Sequence, residues 1–166
     1  MYSEVHGAFG WCVAEISGGD RKLRKWIFLA TFLTDLDAIS FFWGEDAYVK
    51  YHHAISHGLV FSLICSAWAI YSCRNIPWHK VLLWTQLGFY THYFGDYFFT
   101  QFPLYYFWPL SEQGFLYSGA VPLWHPSNKV FQWISVAALM FFAVKNKRTP
   151  IEIISEKWDK KVIASF

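Results

Sequence analysis

Charged residues are scarce in this sequence. Asp, Glu, Lys and Arg make up 16% of its 166 residues, and the 14 basic side chains nearly balance the 12 acidic ones. Disordered chains and charged interaction tails carry far more charge of one sign, so the composition excludes both classes. Cysteine is scarce as well, and Cys12, Cys65 and Cys73 form no CxxC pair. This spacing supports neither a disulfide framework nor a thiolate metal site.

Aromatic residues, by contrast, make up 22% of the chain, and hydrophobic residues 55%. A soluble domain of this length has too little interior to hide so many large side chains, whereas membrane proteins concentrate Trp and Tyr at the bilayer interfaces. Four apolar stretches approach the roughly 20 residues that an α-helix needs to cross a bilayer: 26–43, 54–71, 81–100 and 130–144. A fifth stretch, 2–17, is shorter and is either a further span or an interfacial helix.

The basic residues support this layout. When the stretches alternate in direction, all 14 Lys and Arg except Lys50 and Lys129 fall on one side, as the positive-inside rule predicts for true crossings. We therefore predict an all-α, polytopic transmembrane bundle of four to five spans, with residues 1–166 forming one domain in a prokaryotic cytoplasmic (inner) membrane. Residues 145–166 would form a basic cytoplasmic tail. Because the basic residues are confined to the membrane flanks, nucleic-acid binding is not expected.

A long connection, residues 102–128, separates the last two strong stretches. Its prolines and glycines exclude one continuous helix, and the alternation puts it outside the membrane. Its many Trp, Tyr and Phe residues favour a position at the interface. Because long connections often act as lids or binding loops, we expect a Pro- and aromatic-rich outer loop that covers a substrate.

The ionisable residues inside the apolar stretches are all Asp or His. Such residues are costly in a membrane and usually face a cavity, a partner or a metal. Asp and His together are ligands of zinc, manganese or iron. Asp35 and Asp37 are two residues apart, so both can be ligands only if the helix is locally broken or one of them supports another ligand. The candidates are Asp35, Asp37, His52, His53, His57, His92 and Asp96.

The spacing of the other candidates indicates shared helix faces. His92 and Asp96 are four residues apart, as are His53 and His57, so each pair could converge on one ion. His52 joins the same site only if it lies just before the helix begins. In the predicted topology all these side chains lie in the outer half of the membrane, together with His6 if stretch 2–17 crosses. The sequence therefore predicts a single metal-binding layer.

These motifs, in this order, resemble those of the YdjM-like membrane-bound metal-dependent hydrolases. In that family a Thr-His pair, Pro-Asp-Leu-Asp, His-Arg-Gly-x-Thr-His-Ser and His-x-x-x-Asp follow one another, and their His and Asp are taken as metal ligands. The resemblance extends from the N-terminus to about Ser111. It is carried by Val5-His6-Gly7, the turn from Gly18 to Lys25, Asp35-Leu36-Asp37, Tyr51-His52-His53-Ala54-Ile55-Ser56-His57, His92-Tyr93-Phe94-Gly95-Asp96 and Trp108-Pro109-Leu110-Ser111. It implies metal ligands at His6, Asp35, Asp37, His52, His57, His92 and Asp96.

Five positions depart from the family motifs. Val5 and Ser56 each replace Thr, Thr34 replaces Pro, and Gly58 replaces Ser. His53 replaces Arg; if the family Arg binds an anionic substrate group, this replacement changes the charge, the pH dependence or the substrate at that position.

The donor set suggests a hydrolytic function. Seven Asp and His groups exceed the needs of one tetrahedral ion, which indicates one or two divalent ions, with zinc expected first and manganese or iron as alternatives. The leading hypothesis is a metal-activated hydroxide that attacks an ester or phosphoester of a lipid-like substrate, with His53 or a ligand-free carboxylate as the general acid or base. The alternatives are a divalent metal-binding or metal-transport membrane protein, a haem or quinone redox protein using His57 and His92, and a soluble helical bundle.

Overall fold

The chain is built from helices. A computed structural model describes residues 1–165, and within that range there are seven α-helices, two 3₁₀ segments and no β-strand. The all-α prediction is confirmed. The helices are α1 (Ser3–Ile16), α2 (Arg21–Leu33), α3 (Glu45–Tyr51), α4 (Leu59–Ser72), α5 (Trp78–Phe99), α6 (Pro126–Asn146) and α7 (Glu156–Ile163), and the 3₁₀ segments are Thr34–Trp43 and Pro150–Ile153.

Helix α2 is central to the bundle. It packs against α1, α4 and α5, and α1 also contacts α5 and α6. Small residues let these backbones approach closely. A Cβ added at Gly88 of α5 would lie 2.7 Å from the carbonyl oxygen of Ile27, and one added at Gly10 would overlap the Thr31 side chain. This close packing brings one face of α5 directly against the C-terminal half of α2.

Within residues 1–165, two helical segments are long and apolar enough to cross a membrane. They are Arg21–Trp43, which joins α2 to the following 3₁₀ segment, and α6. Helix α4 is apolar but has 14 residues and is about 21 Å long. Helix α5 has 22 residues and is about 33 Å long, but its polar residues lower its hydropathy. The four to five predicted spans are therefore not confirmed.

The predicted span 54–71 begins too early. Residues 52–58 form a series of turns, and α4 begins only at Leu59. His53 has a φ of 65°, a left-handed conformation that a right-handed helix cannot contain. The prediction that His53 and His57 share a helix face is therefore wrong, because both lie in this turn segment.

The outer loop and the C-terminal tail both pack back on the bundle. Residues 102–125 contain no helix, and backbone hydrogen bonds of 2.8 and 2.9 Å pair Leu104 with Phe115. In the tail, the Glu152 side chain accepts a 2.6 Å hydrogen bond from Arg24 Nε at the start of α2. The last residue of the predicted 145–166 tail, Phe166, lies outside the described residues.

Candidate metal centre

Four separate elements supply the predicted site residues. Helix α5 presents His92 and Asp96 from successive turns, and α1 presents His6. The 3₁₀ segment that follows α2 carries both aspartates, and the turn 52–58 carries three histidines. All but one of the eight predicted residues are buried, and the side chain of Asp35 is 27% exposed. The structure brings the following residues into one connected cluster: His6, Asp35, Asp37, His52, His53, His57, His92 and Asp96.

Four of these residues form a compact donor set. One ligand atom from each of Asp35, His57, His92 and Asp96 lies within 4.8 Å of the others. Asp96 Oδ2 lies 2.8 Å from Nε2 of His92 and 3.3 Å from Nε2 of His57, and Asp35 Oδ1 lies 3.4 Å from Nε2 of His92. Two imidazoles and two carboxylates at this spacing could hold one divalent ion.

The orientation of His92 fits a metal ligand. Its Nδ1 donates a 2.7 Å hydrogen bond to the backbone carbonyl of Thr31 in α2. A carbonyl can only accept, so the proton is on Nδ1, and in a neutral ring the lone pair would be on Nε2. Nε2 is fully buried and faces the carboxylates of Asp96 and Asp35 at 2.8 and 3.4 Å. A buried nitrogen in this state is suited to metal coordination.

Asp37 lies behind His57 and outside the set of four. Its Oδ2 is 2.8 Å from Nδ1 of His57, and its Oδ1 is 3.1 Å from Nδ1 of His52. A carboxylate that accepts from the far nitrogen of a ligating histidine fixes that ring and raises its basicity. This geometry matches the sequence alternative in which one of the two aspartates supports another ligand.

The 3₁₀ segment explains how Asp37 reaches this position. The Ser56 hydroxyl accepts a 2.9 Å hydrogen bond from the Asp37 backbone N–H and donates to the backbone carbonyl of Thr34. The bridge replaces part of the regular helical ladder, and the segment continues with about three residues per turn. Sequence reasoning missed Ser56 and Thr31 as positioning residues. The Thr31 contact uses a backbone carbonyl, which leaves no signal in the side-chain pattern.

His6 and His53 surround the same carboxylate from other directions. His6 Nε2 lies 3.0 Å from Asp96 Oδ1, and its ring stacks on His92 with 3.8 Å between centroids. The Met1 amino group lies 2.9 Å from the same oxygen. His53 Nε2 lies 3.6 Å from Asp96 Oδ2. The two oxygens of Asp96 thus face different groups: Oδ1 faces His6 and the Met1 amino group, and Oδ2 faces His53, His57 and His92.

A cavity of about 410 Å³ opens onto these residues, a volume in the range of small-molecule sites. His52, His53 and both Asp35 and Asp96 line its polar side. The outer loop supplies apolar lining through Phe102, Pro122, Leu123 and Trp124. The loop is tied to the histidine turn by a 3.0 Å hydrogen bond from the backbone N–H of Tyr105 to the backbone carbonyl of His53. A ligand at the donor set would therefore contact the loop.

One comparison with known proteins gives a match. A family model described as "YdjM inner membrane protein" matches residues 1–155, which extends well beyond the resemblance of the motifs. No curated protein matches, and no solved structure matches.

Proposed function

Because the chain belongs to the YdjM inner membrane protein family, we propose that it is a membrane-bound, metal-dependent hydrolase. Its substrate would be a lipid-like molecule with an ester or phosphoester bond. The observation that carries this proposal is the buried set of two histidines and two carboxylates beside a cavity that also has apolar walls. The donor groups, an opening that leads to them and space for an amphipathic ligand therefore occur at one place.

The donor set suits one or two divalent ions. Asp35, His57, His92 and Asp96 would hold the first, and the two carboxylates would balance its charge. His6 and the second oxygen of Asp96 would contribute to a second ion. Zinc is the first candidate, and manganese or iron would accept the same ligands. When bound, the metal would polarise the ester and lower the pKa of water.

The remaining residues orient these groups and move protons. Asp37 holds the His57 ring and the Thr31 carbonyl holds the His92 ring. His53 lines the cavity, and its Nδ1 has no hydrogen-bond partner within the described range 1–165. It would transfer a proton to the leaving oxygen or from the attacking water. Phe102 and Trp124 would cover the substrate and exclude bulk water.

We infer the orientation in the membrane from the charges. Arg24 and Glu152 tie the basic tail to the start of α2, whereas Asp35 lies just beyond the C-terminal end of the same helix. With residues 145–165 in the cytoplasm, as the positive-inside rule favours, the donor set would lie in the outer half of the bilayer. The 102–128 loop would then face the outside.

A divalent metal-transport protein is the second candidate. The observation that favours it is the surplus of donors, since His52 and Asp37 continue the chain of contacts beyond the set of four. Transport requires donors at several depths, whereas α4, which borders the set, contains no Asp or His. A single layer of donors favours hydrolysis.

The first experiment is metal analysis by elemental mass spectrometry on detergent-purified protein. We expect one or two equivalents of metal in the wild type, loss in Asp35→Ala and His92→Ala, and retention in the control His125→Ala, whose residue lies in the outer loop. Hydrolysis of chromogenic esters and phosphoesters by the metal-loaded protein then separates the two candidates. A wild type without metal after reconstitution would exclude both, and a metal-loaded protein that cleaves none of these esters would favour transport.

A further inference from the structure

A second cavity, also of about 410 Å³, lies beside the first and is lined almost entirely by apolar atoms. It is a groove between α1, α5 and α6. Phe9 forms its α1 side, Phe94 and Phe99 its α5 side and Phe131 its α6 side. None of the metal-binding residues lines this groove, so the groove is not part of the proposed metal site.

The groove and the donor set occupy neighbouring rows of the same helix. Thr91 and Gly95 line the groove, and His92 and Asp96 follow each of them by one residue. In an α-helix, residues four apart lie in one row along the helix surface. The residues that follow them by one position form an adjacent row. The α5 backbone therefore holds the groove and the two α5 donors in a fixed relation.

Little material separates the two cavities. A Cβ added at Gly95 would lie 2.7 Å from Cε1 of His6 and 2.6 Å from Cε of Met1, so the His6 ring lies directly against the groove wall at Gly95. Met1 lines both cavities and so contributes to their common wall. Methionine is unbranched and flexible, so this wall can yield to a ligand that passes from one cavity to the other.

The groove is also open along one side, where its rim is apolar. Phe94 is 63% exposed and Leu87 37% exposed on its rim. An alkyl chain gains little by leaving lipid for an apolar groove, because lipid tails are as apolar as the side chains. The benefit of the groove is therefore alignment of the group attached to the chain rather than affinity for the chain itself.

We propose that this groove receives the hydrocarbon chain of the substrate, whose phosphoryl or ester group lies in the metal cavity. The inference rests on the proposed hydrolase function and narrows its substrate class to amphiphiles with a hydrocarbon chain next to the reacting group. A methylene takes up about as much space as a water molecule in the liquid, ~30 Å³, so the groove holds on the order of a dozen methylenes. This is room for one chain of about that length.

The test is photo-crosslinking with dodecyl phosphate that carries a diazirine in the middle of its chain. Full-length, zinc-loaded protein in phosphatidylcholine nanodiscs is irradiated, and adducts are mapped by mass spectrometry. We expect adducts at Phe94, Phe99 and Phe131, at least tenfold above those from a diazirine dodecane without phosphate. Equal labelling by the two probes, or labelling that is no higher in the groove than at lipid-facing Trp133, would overturn the inference.

Two variants on the same helix sharpen the test. Thr91→Trp fills the groove and should reduce these adducts at least tenfold, whereas Leu83→Trp, at a lipid-facing position outside the groove, should leave them unchanged. Zinc content reports whether each variant folds, and the comparison of the two probes on the wild type needs no variant. Groove labelling that survives in a zinc-loaded Thr91→Trp protein would contradict the inference.

Zinc removal distinguishes this inference from the proposed function. We expect groove adducts to fall about tenfold in zinc-free protein, because the phosphate loses its anchor. Equal labelling with and without zinc would mean that the groove takes any lipid chain, which overturns the inference and leaves the hydrolase proposal intact. Failure of the hydrolase proposal has a different signature, namely a wild type that binds no metal.

Discussion

Replacement of Asp37 by asparagine tests whether this residue supports His57 or binds metal itself. Asp37 Oδ2 lies 2.8 Å from Nδ1 of His57 and Oδ1 lies 3.1 Å from Nδ1 of His52. Asn keeps the shape but removes the charge, and its amide can accept from only one of the two rings. The ring of His57 is then less basic and less firmly oriented.

The expected magnitude follows from these contacts. A hydrogen bond to a charged group contributes about 1.5–3 kcal/mol, and loss of a carboxylate behind a ligating histidine lowers metal affinity about 10–100-fold, which is about 1.4–2.7 kcal/mol. We therefore expect Asp37→Asn to raise the Kd for zinc about 10–100-fold. Asp35→Ala, which removes a donor from the set of four, should abolish tight binding.

The assay is zinc competition against a chelator of known affinity, with the purified wild type and variants side by side. The matched control is Asp46→Asn, which removes an exposed carboxylate from the nearby helix α3 and should leave the Kd unchanged. A change below threefold in Asp37→Asn would refute the supporting role. A loss as complete as that of Asp35→Ala would show that Asp37 is a ligand.

Three further predictions concern the scaffold. Gly88→Ala should destabilise the protein by about 1–3 kcal/mol, although Ala favours helix, because the new methyl group would lie 2.7 Å from the carbonyl oxygen of Ile27; thermal unfolding measures this loss. Arg24→Met leaves Glu152 buried without its 2.6 Å partner, so it should cost about 3–5 kcal/mol and make the tail sensitive to limited proteolysis. Asp20 caps α2: burial raises its pKa, but hydrogen bonds from the backbone and a neighbouring side chain outweigh this and hold the pKa below the ordinary value. A carboxyl group whose pKa is lowered by folding stabilises the fold at pH values above its pKa in the unfolded chain, which is about 3.9. This stabilisation is lost as the pH falls through the pKa of the folded state. Asp20→Asn should therefore be less stable than the wild type at pH 7, and the difference should disappear in acid.

Each of these predictions has a clear contrary result. A melting temperature that stays constant or rises in Gly88→Ala would contradict the close approach of α5 and α2. The exposed Arg74→Met is the control for Arg24→Met, and equal proteolysis of the two would contradict a docked tail. For Asp20, a difference from wild type that does not shrink as pH falls would contradict the lowered pKa.

Local periodicity was enough to predict part of the site. His92 and Asp96 are four residues apart in an uninterrupted helix, so the shared face follows from the sequence alone. The stretch around His53 and His57 has the same spacing, but these residues lie in turns. Tertiary contacts, such as the hydrogen bond from Tyr105 in the outer loop to the His53 carbonyl, hold that segment, and no local pattern encodes them.

The hydrogen bonds that position Asp37 and His92 could not be predicted, for a related reason. The position of Asp37 depends on the Ser56 hydroxyl, which lies 19 residues away in the chain, and that of His92 on the Thr31 carbonyl, 61 residues away. Such contacts join segments that are distant in sequence, and one of them uses only backbone. The number of spans was equally out of reach, because apolar length alone does not reveal that the segment before Leu59 is a turn.

The central position of Asp96 has a consequence for the choice of variants at this site. Its carboxylate contacts His6 of α1, His57 of the turn 52–58 and His92 of α5, so one side chain joins three parts of the chain that are distant in sequence. Its removal would leave three buried imidazoles without their common partner. A variant at Asp96 therefore disturbs the packing of the bundle together with any metal coordination, whereas a variant at Asp35, which approaches the His92 ring, disturbs far less of the packing.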